Sequence, residues 1–178
     1  MTELTMARAL QALDRAVILT HRRPDGDTVG CAAALCLGLR ALGKRAVILE
    51  NPELTDKYTP YFEGLTCGAI DPDDTIIAVD VAAEDMFSKG LALPRPIDLA
   101  IDHHGTNSGY AKKSLIRSDR AACGEIVYDV LREMGVQITG RIAEALYVAI
   151  STDTGCFRYS NVTANTLHVA AELLGAGG

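Results

Sequence analysis

His21, Asp25 and Asp27 lie in the short stretch HRRPDGD, directly after the apolar run from Ala16 to Leu19. Asp80 closes the run TIIAVD, and Asp102, His103 and His104 close IDLAIDHH. Asp153 lies in STDTGCF, after a helical apolar stretch. Ligands of open α/β sheets bind outside the carboxyl ends of the strands, and three of these four clusters fall at such ends. Brought together, Asp25, Asp27, Asp80 and Asp153 would repel one another and raise each other's pKa values. Two divalent cations would balance that charge, with imidazoles completing the coordination. Mixed imidazole and carboxylate ligands suit manganese and its relatives. Two such cations about 3.5–4 Å apart can clamp a phosphate, lower the pKa of a water and neutralise the charge of in-line attack.

Each motif alone also has a plain structural reading. Pro24-Asp25-Gly26 is a turn signal, Asp27 is a good helix N-cap, and His21 can be an ordinary strand-end residue. In the metal reading, Gly26 lets the chain turn tightly enough to aim both carboxylates inward. Asp80 can be a lone loop residue, although its two oxygens also suit it to bridge two cations. Adjacent histidines can be a solvated turn. In the metal reading they divide the work: one ligates, and the other, pointing elsewhere, meets the substrate. Asp102 then orients an imidazole by accepting its second N–H. Asp153 sits poorly at the negative end of a helix dipole, and a nearby cation relieves that misfit. Arg158, like Arg22 and Arg23, is a candidate phosphate contact. His168, inside an apolar helix, reads as structural. A P-loop, GxGxxG, GxSxG or paired CxxC motif is missing.

The elements that must position these residues alternate. A lead-in helix is expected over Glu3 to Asp14, and strands over 16–20, 46–50, 75–81 and 97–102, with a short edge strand at 114–116. The nearly unbroken apolar runs of the third and fourth strands suit parallel strands buried on both faces. Thr28 to Leu42 reads as a helix capped by Asp27, Pro52 to Gly68 as a loop with a short helical turn, and three helices follow over 121–134, 140–153 and 163–174. This rhythm predicts an α/β fold: a doubly wound, mostly parallel five-stranded sheet with helices on both faces.

The chain has 178 residues, 48% hydrophobic and 22% charged, which suits one globular domain with one core. A net charge of −6 argues against a broad basic nucleic-acid surface, but not against an anionic substrate, because bound cations invert the local field. Five scattered cysteines without CxxC spacing read as reduced thiols of a cytoplasmic protein. With no signal-type start and no run near ~18 apolar residues, no membrane partner is expected.

The four motifs, in this order from about Ala16 to Asn165, resemble the RecJ-like DHH phosphoesterase superfamily, named for the triplet at Asp102, His103 and His104. PDGD, with glycine between the aspartates, and DTGCFRYSNVT are most similar to the branch of bifunctional oligoribonucleases and pAp phosphatases. The pyrophosphatase branch typically carries another residue between those aspartates and lacks Phe-Arg-Tyr-Ser. The cyclic-dinucleotide phosphodiesterase branch adds regulatory regions. The resemblance implies a manganese-dependent phosphoesterase acting on short oligoribonucleotides or on 3′-phosphoadenosine 5′-phosphate (pAp). It implies that His21, Asp25 and Asp80 hold one cation and that Asp27, Asp80, His103 and Asp153 hold the other. His104 would contact the scissile phosphate, with Asp102 supporting it and Arg158 as a further substrate contact. It also implies a catalytic domain over 1–174, a linker starting at 175–178, and a C-terminal DHH-associated domain that this chain does not include. A homodimer is compatible with this reading. The alternatives are a pyrophosphatase, polyphosphatase or cyclic-dinucleotide phosphodiesterase of the same superfamily, or a nucleotide-binding module inactive without its second domain.

Overall fold

The computed structural model describes residues 1–178. Its centre is a six-stranded sheet, every pair parallel, in the order β3-β2-β1-β4-β5-β6. The strands are β1 (Arg15–Leu19), β2 (Arg45–Leu49), β3 (Thr66–Cys67), β4 (Thr75–Val79), β5 (Leu99–Asp102) and β6 (Lys113–Ile116). The helices are α1 (Glu3–Ala12), α2 (Gly26–Ala41), α3 (Thr59–Phe62), α4 (Cys123–Glu133), α5 (Arg141–Asp153) and α6 (Ala164–Gly175). Five of the strands lie where the apolar runs predict them. The sixth, β3, lies inside the stretch expected to be loop. It is only two residues long and adds to the edge of β2 by pairing Ile48 with Thr66 and Leu49 with Cys67, so it carries too little alternation to read in advance.

Both faces of the sheet are covered, unequally. Ala16 and Ile18 of β1, Ile77 and Val79 of β4, and Leu99 and Ile101 of β5 point to one face, where they join the buried sides of α1, α2, α4, α5 and α6 in a core of 41 buried residues. The alternate residues Val17, Leu19, Ile76 and Ala78 point to the other face and share a core of seven with Val81, Phe87 and Ile97. The cover there is the crossover from β4 to β5, whose only helical element is a 3₁₀ turn over Glu84–Met86. Phe87 and Tyr110 close this side edge to face, with ring centroids 5.8 Å apart.

Two glycines set how closely the helices approach. A Cβ on Gly30 of α2 would lie 2.2 Å from the Ala145 carbonyl oxygen of α5, and one on Gly124 of α4 would lie 2.7 Å from the Ala149 Cβ. Only glycine permits these crossings. They draw the N-terminus of α2, the N-terminus of α4 and the C-terminus of α5 together at the carboxyl edge of the sheet.

Candidate metal centre

At that edge, Asp25 is the N-cap of α2, not Asp27. Its Oδ1 accepts from the Asp27 and Thr28 N–H groups at 3.0 and 3.2 Å. The expected cap role of Asp27 fails because its carboxylate turns across to the start of α4. There it accepts from the Cys123 N–H at 2.7 Å and the Gly124 N–H at 2.9 Å, with the Cys31 thiol at 3.3 Å. Helix N-termini favour anions, so this seat offsets part of the cost of burying a carboxylate in the interior. Gly26 serves a different end from the one its turn position suggests. A Cβ there would meet the Thr152 Oγ1 at 2.3 Å, so glycine is needed for close approach of α2 to the end of α5.

Asp80 follows β4 in a left-handed backbone conformation (φ 56°), uncommon for a residue with a side chain, and is only 2% exposed. Its N–H donates to the Ile101 carbonyl at 2.9 Å, and its Oδ1 is buried without a hydrogen-bond partner. Three imidazoles surround it. The His21 Nε2 lies 3.8 Å from Oδ2, while the His103 Nε2 and His104 Nδ1 each lie 3.6 Å from Oδ1. The His21 Nε2 is also 3.5 Å from the Asp25 carboxylate. The His103 Nε2 is also 3.9 Å from Asp27 and 3.4 Å from Asp153. Potential ligand atoms of His21, Asp25 and Asp80 lie within 4.8 Å of one another, as do those of Asp27, His103 and Asp153, and of Asp80, His103 and His104.

The outer nitrogens are engaged elsewhere. The His21 Nδ1 donates to the Arg22 carbonyl at 2.7 Å and the His103 Nδ1 to the Arg120 carbonyl at 3.3 Å, which leaves both Nε2 atoms facing the carboxylates. His104 is turned the other way. Its Nδ1 donates to Asp102 at 2.7 Å, and the Asp102 Oδ2 accepts from the Asn107 amide at 2.7 Å. Asp102 is fully buried, whereas the His104 side chain is 39% exposed.

The electrostatics follow from burial and crowding. Burial, then the charge of Asp153, pushes Asp27 up to about 8. Burial, then Asp27, drives Asp80 well above the usual carboxylate range. Asp153 is raised by burial too, against the pull of His103. The hydrogen bond that His104 donates to Asp102 raises its ring above the ordinary value, against desolvation. Three of the four carboxylates therefore resist ionising with no cation between them.

The structure thus brings together His21, Asp25, Asp27, Asp80, His103 and Asp153, with His104 and Asp102 alongside. Arg158 stands apart: its Nε donates to the Gly155 carbonyl of its own turn at 3.0 Å. His168 is exposed on α6. Asn107 and Asn161 have roles that the motifs do not announce. Asn107, three residues past His104, ties Asp102 to the Val81 carbonyl at 3.1 Å, and a polar turn residue so close to the motif is its only signal.

Residues 15–150 match the model of the DHH family, N-terminal domain. The chain is 35% identical over 175 residues to a bifunctional oligoribonuclease and PAP phosphatase NrnA of Thermus thermophilus, covering 97% of this chain and 53% of that protein. The protein of the same name from Bacillus subtilis is 25% identical over 182 residues, covering 95% and 55%. The chain therefore spans about half the length of the curated relatives it matches. Among solved structures, an exopolyphosphatase-related protein from Bacteroides fragilis superposes with a TM-score of 0.80 at 23% identity, over 99% of this chain and 57% of that one. A Methanococcus jannaschii putative family II inorganic pyrophosphatase superposes with a TM-score of 0.65 at 17% identity, over 90% and 56%. These two likenesses establish a shared fold.

Proposed function

Because this chain belongs to the DHH family, we propose that it is the catalytic domain of a metal-dependent phosphoesterase. Its substrates in this reading are short oligoribonucleotides, pAp, or both. The observation that carries the reading is Asp80: a buried carboxylate in a strained backbone, ringed by imidazoles, with one oxygen that nothing in the chain satisfies. Buried charges are paired or coordinate metals. Four carboxylates with two inward-facing imidazole nitrogens fit two divalent cations, manganese being the proposed metal.

His21, Asp25 and Asp80 would hold one cation and Asp27, Asp80, His103 and Asp153 the other. Bound there, the pair would polarise a phosphate and neutralise charge developing on it. The remaining work falls to side chains. Asp102 is fixed by Asn107 and holds His104 through Nδ1, which leaves the His104 Nε2 for the substrate. The hydrogen bond that the ring donates to Asp102 favours its protonated form, so His104 is suited to donate to a phosphate oxygen. The α2 and α4 N-termini hold Asp25 and Asp27 in place. Grip on the rest of the substrate is assigned to a C-terminal DHH-associated domain, with Arg158 a secondary contact.

The test is parallel assay of the manganese-loaded protein on pAp, a diribonucleotide and pyrophosphate. Metal-dependent release of inorganic phosphate from pAp or of mononucleotide from the dinucleotide supports the reading. Turnover of pyrophosphate alone moves the chain to the pyrophosphatase branch. No turnover of any of the three removes the catalytic assignment.

A further inference from the structure

Asn161 lies eight residues beyond Asp153, and the chain between them turns back on itself. Gly155, Cys156 and Phe157 are consecutive left-handed residues with φ of 56°, 55° and 61°. The Thr154 carbonyl accepts from the Arg158 and Tyr159 N–H groups at 3.0 and 3.1 Å, and the Thr154 Oγ1 accepts from the Phe157 N–H at 3.1 Å. Two strained non-glycine residues in succession are costly and persist only where the surroundings demand them. Here the turn returns Asn161 to the end of α5. Its side-chain amide donates to the Asp153 carbonyl at 3.2 Å and to the Ala121 carbonyl at 3.1 Å.

Ala121 adjoins the residue on which His103 depends. The Arg120 carbonyl accepts from the His103 Nδ1, and so decides which ring nitrogen faces the carboxylates. Ala121 is gripped from both ends. Its N–H donates to the buried Glu125 Oε1 at 3.0 Å, and its carbonyl is held by Asn161. One amide therefore hydrogen-bonds to two supports at once: the loop that orients His103 and the helix end that carries Asp153. These side chains lie 3.4 Å apart in the grouping with Asp27. Capping an orphan helix carbonyl needs only the bond to Asp153. The second bond, to a loop forty residues away, is what a cap does not explain.

We propose that Asn161 is a positioning residue for the Asp27–His103–Asp153 grouping, holding the His103 and Asp153 supports in register so that this half of the centre can take a divalent cation. The inference rests on the metal reading given above. Outer partners of metal ligands typically change metal affinity about 10–100-fold when removed. Asn161→Asp keeps the shape but cannot donate, and Asn161→Ala removes the bridge outright.

Mn²⁺ titration of the 178-residue chain, followed by calorimetry and electron paramagnetic resonance, reads the two binding steps separately. In both variants one step should weaken about 10–100-fold while the other stays at its wild-type value. The metal-free melting temperature should stay within a few degrees, because Asn161 is exposed. Two steps unchanged in both variants would overturn the proposal. So would two steps weakened alike together with a lowered melting temperature, since that describes a helix cap. A wild-type chain that takes up no ion sinks the phosphoesterase reading instead. The ¹⁵N spectrum of the metal-free His103 ring then decides the positioning alone. A shift from the Nδ1–H tautomer to a mixture in Asn161→Asp supports it, and an unchanged tautomer rejects it.

Discussion

Asp80 and Glu125 are both buried carboxylates, and the chain treats them in opposite ways. Glu125, fully buried in α4, has its oxygens met from all sides. Oε1 accepts from the Ala121 N–H and the Thr166 hydroxyl, at 3.0 and 2.9 Å. Oε2 accepts from Asn165 at 2.6 Å, and Arg120 stands 3.7 Å away. Asp80 has an oxygen with no hydrogen-bond partner and neighbours that include further carboxylates. A buried charge that its own fold satisfies locks elements together, here α4, α6 and the loop before α4. A buried carboxylate left unsatisfied beside other carboxylates, and so held from ionising, marks a place that a cation would complete.

Asp80→Asn attacks the contrast most directly. Asparagine tolerates left-handed backbone, so the metal-free fold should survive, with a melting temperature equal to or above wild type. Metal-dependent turnover should fall about 10³-fold or more, equivalent to ~4 kcal/mol of barrier. Wild-type metal affinity in this variant would show that Asp80 does not serve both cations. Glu125→Ala should behave inversely. It strands Asn165, Thr166 and Arg120, and urea unfolding should show a loss of about 3 kcal/mol that added Mn²⁺ does not selectively repair. A loss under about 1 kcal/mol, the net worth of an ordinary hydrogen bond, would mean that the knot around Glu125 is not structural.

His104→Ala sharpens the contrast within the centre itself. Because its ring faces Asp102 and solvent, its removal should lower kcat about 10²-fold and leave Mn²⁺ affinity near wild type. His103→Ala should weaken one ion. An exchange of these two results would reverse the roles assigned to the two rings.

The smallest expected effect is on pH dependence. Asp27 rises from about 4 in the unfolded chain to about 8 in the folded one. The folded state therefore holds its proton more tightly. That contribution to stability is fully present below about pH 4 and is lost as pH rises through about 8. In chelator, the melting temperature should fall by several degrees between pH 5 and 8. Asp27→Asn and added Mn²⁺ should each flatten the slope, and a slope that both leave intact would place its origin elsewhere.

The motifs were readable because strand-end aspartates and histidines interrupt runs of apolar residues, and five strands were readable from those runs. What escaped depends on partners far along the chain. Asp27 looks like a cap until the N-terminus of α4, 96 residues later, claims its oxygens. Gly26 looks like a turn glycine until Thr152 arrives against it. Glu125 and Asn161 are a polar helix residue and a loop residue whose partners lie about forty positions away. The two-residue β3 exists only because β2 offers it an edge.

The lopsided cover of the sheet has a dynamic consequence. The β4–β5 crossover lies over a seven-residue core with a single 3₁₀ turn, while the opposite face is locked under the α-helices. Segments with few buried apolar contacts open first. Residues 83–97 should therefore exchange their amide hydrogens well before α2 and α5 do. Such an excursion would bare Val17, Leu19, Ile76 and Ala78, a ready seed for aggregation in the warmed protein. The same segment is where the chain can best absorb insertions, since its length is set by loop closure and not by helix packing.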